Sequence, residues 1–184
     1  MNTLHRWYCR SGHWRRTVEE RLLPWAIGGA DLGSDVLEIG PGPGLTTDVL
    51  AARVPRLTAL EIDPALATAL RRRHDAVRVV EGDATAMPFP DASFTGAVAF
   101  TMLHHVPSAA AQDRLLGEVC RVLRPGGVFA GSDSTTSLLF RLAHFRDTMQ
   151  LVDPDGFAER LGRAGFRDAQ VKVAKGAFRF RARR

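Results

Sequence analysis

The chain has 184 residues, a mass of 20.1 kDa, 45% hydrophobic and 24% charged residues, and a formal net charge of +5 with a pI near 10.2. That is the size of one domain, and the composition excludes wholesale disorder. Two cysteines, Cys9 and Cys120, exclude a disulfide framework, and no stretch approaches the ~18 consecutive apolar residues of a membrane span.

Residues 3–27 carry apolar side chains at helical spacing, among them Leu4, Trp7, Trp14, Val18 and Leu22, and predict an N-terminal helical arm over 1–30. Residues 22–30 are uncharged, but Pro24, Gly28 and Gly29 make them a poor signal-peptide core, so a cytoplasmic protein with free thiols is expected. A short apolar run at 36–39 ends in glycines and predicts a buried strand, followed by a helix over 45–54. A second strand is predicted at 57–62. Asp63-Pro64 then supplies a cap and a first-turn proline for a helix to about His74. Strands are predicted at 77–80 and 94–100, separated by a proline-containing loop. Ser108 caps a helix with apolar Leu115, Leu116, Val119 and Val122, Pro125-Gly126-Gly127 ends it, and a fifth strand follows at 128–131. Asp153-Pro154 starts a last helix, and 168–173 and 177–183 read as two final strands. Strands alternating with helices predict an α/β sandwich on a mostly parallel sheet.

The most informative segment is VLEIGPGPGLTT at 36–47. A strand runs into Glu38-x-Gly40-x-Gly42-x-Gly44 and hands over to a helix N-terminus, where backbone amides and close approach favour a polar ligand group. A dinucleotide fingerprint would need glycine at 45, where Leu45 stands, and a P-loop would need a lysine. Glu61 ends the second strand, where a carboxylate can accept from two ribose hydroxyls. Asp83 follows the third strand, where it can accept from an adenine amino group while the Ala84 amide donates to a ring nitrogen. All fall at strand C-termini, where open α/β sheets bind ligands.

Together with LTALEIDP, VVEGDATAMPFPDASF, AFTMLHHV and RVLRPGGVFAGSD, these residues resemble the class I S-adenosylmethionine-dependent methyltransferases. The likeness is to the small bacterial type grouped with ubiquinone and menaquinone C-methyltransferases. It covers about 33–135. The resemblance implies a Rossmann-like three-layer sandwich with a seven-stranded sheet whose last strand is antiparallel. It also implies S-adenosyl-L-methionine as cofactor and a methyltransferase domain over 31–184. By that resemblance Glu38, Gly40 and Gly42 face the methionine part, Gly44 eases helix approach, Glu61 holds the ribose, Ile62 covers the adenine, and Asp83 and Ala84 read its edge. The backbone at Thr101 receives the ammonium. Thr95-Gly96 stands where relatives carry Phe-Asp, a departure expected to touch strand packing.

An oxygen or activated carbon acceptor must lose a proton, and His104 and His105, directly after the fourth strand, are the candidate bases. Structural packing of one and solvent exposure of the other is the competing reading. No metal site is expected. The Asn/Asp-Pro-Pro-aromatic stretch of base-amino methyltransferases is missing. Residues 132–152, with Leu138, Leu142, Phe145 and Met149, are the candidate substrate lid.

Charge divides along the chain. Residues 1–30 carry a net +3, 31–156 a net −5 and 157–184 a net +7. The expected function is therefore methyl transfer to a small, partly apolar molecule. RNA methylation through the basic C-terminal edge, and a catalytically silent methyltransferase fold used for binding, are the alternatives. The oligomeric state stays open, a homodimer included.

Overall fold

The computed structural model describes residues 16–135, 150–174 and 176–184. The predicted helices at 3–15 and most of the candidate lid, 136–149, lie outside the described residues.

A π-helical turn, Val18–Leu22, runs into α1 (Leu23–Ile27), which ends on left-handed Gly28. Then follow β1 (Asp35–Ile39), α2 (Leu45–Ala51), β2 (Arg56–Glu61), α3 (Pro64–Arg73), β3 (Arg78–Glu81) and β4 (Phe94–Phe100). A 3-10 turn, Leu103–His105, leads to α4 (Ala109–Val122), β5 (Leu123–Ser134), α5 (Pro154–Arg163), β6 (Arg167–Ala174) and β7 (Ala177–Arg183).

The local signals act as written. Asp63 Oδ1 accepts from the amides of Ala65 and Leu66, and Ser108 Oγ from that of Ala111. Asp153 Oδ1 accepts from the Asp155 amide. Such caps satisfy first-turn donors that have no partner inside the helix. The boundary that differs most is the start of β5. β5 starts at Leu123 rather than at 128, because Leu123 pairs with Phe94 before the ladder shifts register and resumes at Gly96 and Val128. Pro125-Gly126-Gly127 thus forms an irregularity within the strand.

The sheet order is β3-β2-β1-β4-β5-β7-β6. β1 to β5 pair in parallel, and β7 runs antiparallel between β5 and β6. Apolar side chains fill both sheet faces. On one, Leu115, Leu116 and Val119 of α4 and Phe157 of α5 meet Phe129, Phe178 and Phe180. On the other, Leu23, Leu50 and Leu70 cover Val98 and Ala130. Cys120 is buried on the α4 face, and burial pushes its thiol pKa up.

The Thr95-Gly96 departure has its explanation in packing. Thr95 Oγ1 accepts from the Asp35 amide and donates to the carbonyl of Leu32. A Cβ at Gly96 would stand 2.5 Å from that same carbonyl oxygen. The chain entering β1 therefore lies directly on β4. Among the described residues no helix is long and apolar enough to cross a membrane.

Candidate active site

The strand order reverses between β1 and β4, and the turns after β1, β2, β3 and β4 meet at that point. This is the crevice where open α/β sheets hold ligands. Gly40, Gly42 and Gly44 all have positive φ, a region costly for other residues, so the loop needs glycine to leave β1 and enter α2. Arg73 of α3 reaches behind the loop, donating from Nη2 to the Pro43 carbonyl at 2.8 Å. Met102 lies against Gly40 from the β4 side.

Two buried carboxylates shape the loop from below. Glu38 is 1% exposed and accepts from the hydroxyls of Thr46 and Thr47, the latter at 2.6 Å. It ties β1 to the first turn of α2. Burial raises its pKa to about 7, against the two hydroxyls that lower it. Glu61 is 4% exposed. Its Oε2 accepts from the Gly42 amide at 2.9 Å and its Oε1 from the Asp63 amide at 3.0 Å. Each oxygen of a carboxylate has two lone pairs, so further donors can still be accepted.

Beyond them opens a cleft with a volume of about 260 Å³. Gly40, Leu60, Ile62, Asp83, Ala84 and Thr85 form one side, and Met102, His105, Val106, Ala111, Arg114 and Leu115 the other. Ile62 is 67% exposed, an apolar side chain open to a flat partner. Asp83 is exposed and accepts from the Thr85 amide at 2.7 Å. Thr101 follows β4 with φ +50, unusual for a β-branched residue, and its amide donates to the Ser132 carbonyl at 2.8 Å.

The two histidines part company. His105 is half-buried and lines the cleft. His104 is 1% exposed and sits under the turn. Its Nδ1 lies 2.5 Å from Asp133 Oδ1, and its amide donates to Asp133 Oδ2 at 3.1 Å. The two rings lie 4.2 Å apart between centroids.

Sequence reasoning passed over Asp133 and Gln112. Asp133 is fully buried at the end of β5, and an acid in an otherwise apolar run was the available signal. Gln112 Nε2 donates to the carbonyls of Leu103 and Gln150, while its Oε1 accepts from Arg160. The Gln150 amide in turn donates to the His104 carbonyl. Both described ends of the candidate lid, at Asp133 and Gln150, therefore meet the turn that carries His105. Among the described residues no group of three His, Cys, Asp or Glu is placed to hold a metal ion.

Comparison with known proteins agrees with this geometry. The methyltransferase domain family matches residues 37–131. A Mycolicibacterium smegmatis protein named probable S-adenosylmethionine-dependent methyltransferase is 38% identical over 53% of the chain and 37% of its own length. The malonyl-[acyl-carrier protein] O-methyltransferase of Serratia marcescens is 32% identical over 90% of the chain and 60% of its own length. A fatty-acid O-methyltransferase of M. smegmatis is 38% identical over 55% of the chain and 38% of its own length. The chain thus spans 37% to 60% of the length of these relatives. Among solved structures, a SAM-dependent methyltransferase from Aquifex aeolicus superposes with a TM-score of 0.76 at 18% identity, covering 100% of the chain and 98% of that chain. The match spans the glycine loop, both carboxylates, the cleft and most of β5, and on it the chain belongs to the S-adenosylmethionine-dependent methyltransferase domain family.

Proposed function

We propose that the chain transfers a methyl group from S-adenosylmethionine to an oxygen, nitrogen or carbon of a small, partly apolar acceptor. The cleft carries this reading. Its residues fit the cofactor: Ile62 and Leu115 offer apolar surface for a purine, and Asp83 and Ala84 a polar edge, while Glu61, between the lining residues Leu60 and Ile62, keeps lone pairs for ribose hydroxyls. Gly40 and Gly42 let the backbone approach the amino-acid end. Bound there, S-adenosylmethionine supplies an electrophilic methyl on a cationic sulfur.

The chain's own part is to orient the acceptor, exclude water and receive a proton. Orientation alone can lower such a barrier by ~7–11 kcal/mol. In this reading His105 takes the proton on an imidazole nitrogen, which its position in the cleft lining supports. His104 holds the turn through Asp133, which its two bonds to that carboxylate support. The apolar wall of Val106, Ala111 and Leu115 suits an acyl or similar acceptor, and relatives named for a fatty acid and a malonyl group support that class.

The test is a coupled assay for S-adenosylhomocysteine release with a panel of fatty acids, acyl thioesters and quinols, run beside total RNA. Turnover with one small-molecule class, lowered at least ~100-fold in His105→Ala, is expected. Turnover on RNA alone would contradict the proposal, as would full activity of His105→Ala.

A further inference from the structure

Five basic side chains of β6 and β7 stand outside the cleft and take no part in the proposed reaction. Arg179, Arg181 and Arg183 alternate along β7 and so share one face, spaced by roughly 6.7 Å. The register sets Lys172 opposite Arg179 and Arg167 opposite Arg183. Like charges directly opposite each other destabilise an antiparallel pair, and this edge holds two such pairs. Asp168, the acid on these strands, sits at the register shift between Arg167 and Gln170.

Among the described residues, none of the five joins an ion pair. Arg56, Arg73, Arg121, Arg124, Arg160 and Arg163 each have a carboxylate within 4.0 Å. Arg53, Arg71, Arg72 and Arg78 have no such partner among the described residues either, so what distinguishes the five is that the strand register gathers them on one face. Residues 1–15 hold three Arg and no acid, so that segment adds positive charge rather than neutralising the face.

The same face has a shape. Between the end of α1 and the strands lies a cleft of about 170 Å³, where Lys172, Arg179 and Arg181 meet Gln170 and Gly28. Trp25 directly precedes the lining residues Ala26 and Ile27, and the Arg179 guanidinium lies 5.9 Å from its ring centroid. Arg179 lies opposite Ser132, so the stripe reaches the C-terminal rim of β5, beside the turn of Thr101.

We propose that the β6–β7 face binds a single-stranded nucleic acid, with Lys172, Arg181 and Arg183 on its phosphates and Trp25 beside its bases. A basic groove next to an aromatic ring suits an unpaired strand, whose bases are free to stack. Reading a duplex takes a helix or a free two-stranded ribbon entering the major groove, and here β6 and β7 are held in a seven-stranded sheet. The proposal is separate from the acceptor assigned to the cleft.

The test uses the full chain and a fluorescein-labelled oligouridylate, with anisotropy read across a salt series. Single strands give a slope of about −0.7 in log K against log salt for each phosphate contact. A K172Q/R181Q/R183Q variant should therefore flatten the slope by about 2 and weaken binding at least tenfold at about 50 mM salt. A K172R/R181K/R183K variant, which keeps every charge, should bind like the wild type. S-adenosylhomocysteine calorimetry on the same samples reads the other cleft and verifies folding. Three results would overturn the proposal. They are no binding at about 50 mM salt, a neutralised variant with unchanged affinity and slope, and poly-glutamate competing as well as oligouridylate at equal charge.

Discussion

Glu38→Gln separates the electrostatics of the glycine loop from its shape. Glu38 is buried, accepts from Thr46 and Thr47, and holds its proton up to a pKa of about 7 against an ordinary value of 4.5. The native state then binds more protons than the unfolded chain between those values, so this group's contribution to stability falls as pH rises. Integrated between pH 5 and pH 8, the loss is roughly 2–3 kcal/mol. The glutamine side chain of the variant does not titrate and escapes this loss, at the fixed cost of a reversed hydrogen bond to one threonine. Urea denaturation of both proteins at pH 5 and pH 8 measures it. The stability of Glu38→Gln relative to wild type should improve by roughly 2 kcal/mol at the higher pH. A difference that stays constant with pH would refute the reasoning. A cationic cofactor group above this loop would favour the ionised form, so proton release should accompany S-adenosylmethionine binding near pH 6.5. Calorimetry in buffers of different ionisation enthalpy reads that release.

Other perturbations divide folding from chemistry. His104→Ala removes the imidazole partner of the fully buried Asp133 and should cost about 1–3 kcal/mol in urea unfolding. His105→Ala should leave S-adenosylhomocysteine affinity within about threefold while acceptor-dependent turnover falls; a matching loss of affinity would place His105 in cofactor binding instead. Arg121 joins Glu118 and Asp91 and donates to the carbonyls of Met87 and Phe89, stapling the loop beyond Ala84 to α4. Arg121→Met should lower stability by about 1–3 kcal/mol, measured by denaturant midpoint. Gly96→Ala should cost about 1–3 kcal/mol, because the carbonyl of Leu32 occupies the space of the new methyl.

How much of this could be read in the sequence depends on distance along the chain. Caps at Asp63, Ser108 and Asp153 act within three residues, and the structure places each at a helix N-terminus. The glycine loop is also local, since its backbone angles follow from the glycines themselves. The partners that define the site are not local. Glu61 accepts from Gly42 nineteen positions away, and Asp133 reaches His104 across twenty-nine. Sequence pattern marked Glu61 and His104 as polar residues at strand ends, but only the register of β4 on β5 shows that Asp133 claims His104 and leaves His105 to the cleft. Glu38 illustrates the same limit. The sequence places it at the end of β1 before the glycines, but only the fold shows that the hydroxyls of Thr46 and Thr47 in α2 bond its two oxygens.

The central claim is that the cleft at the ends of β1 to β4 is built for S-adenosylmethionine. Isothermal titration of the full chain with S-adenosylhomocysteine tests it most directly. One-to-one binding is predicted, weakened about tenfold or more in Asp83→Ala, which removes an exposed carboxylate bonded to the Thr85 amide in its own turn. No binding by the folded wild type, or binding untouched by that substitution, would contradict the account.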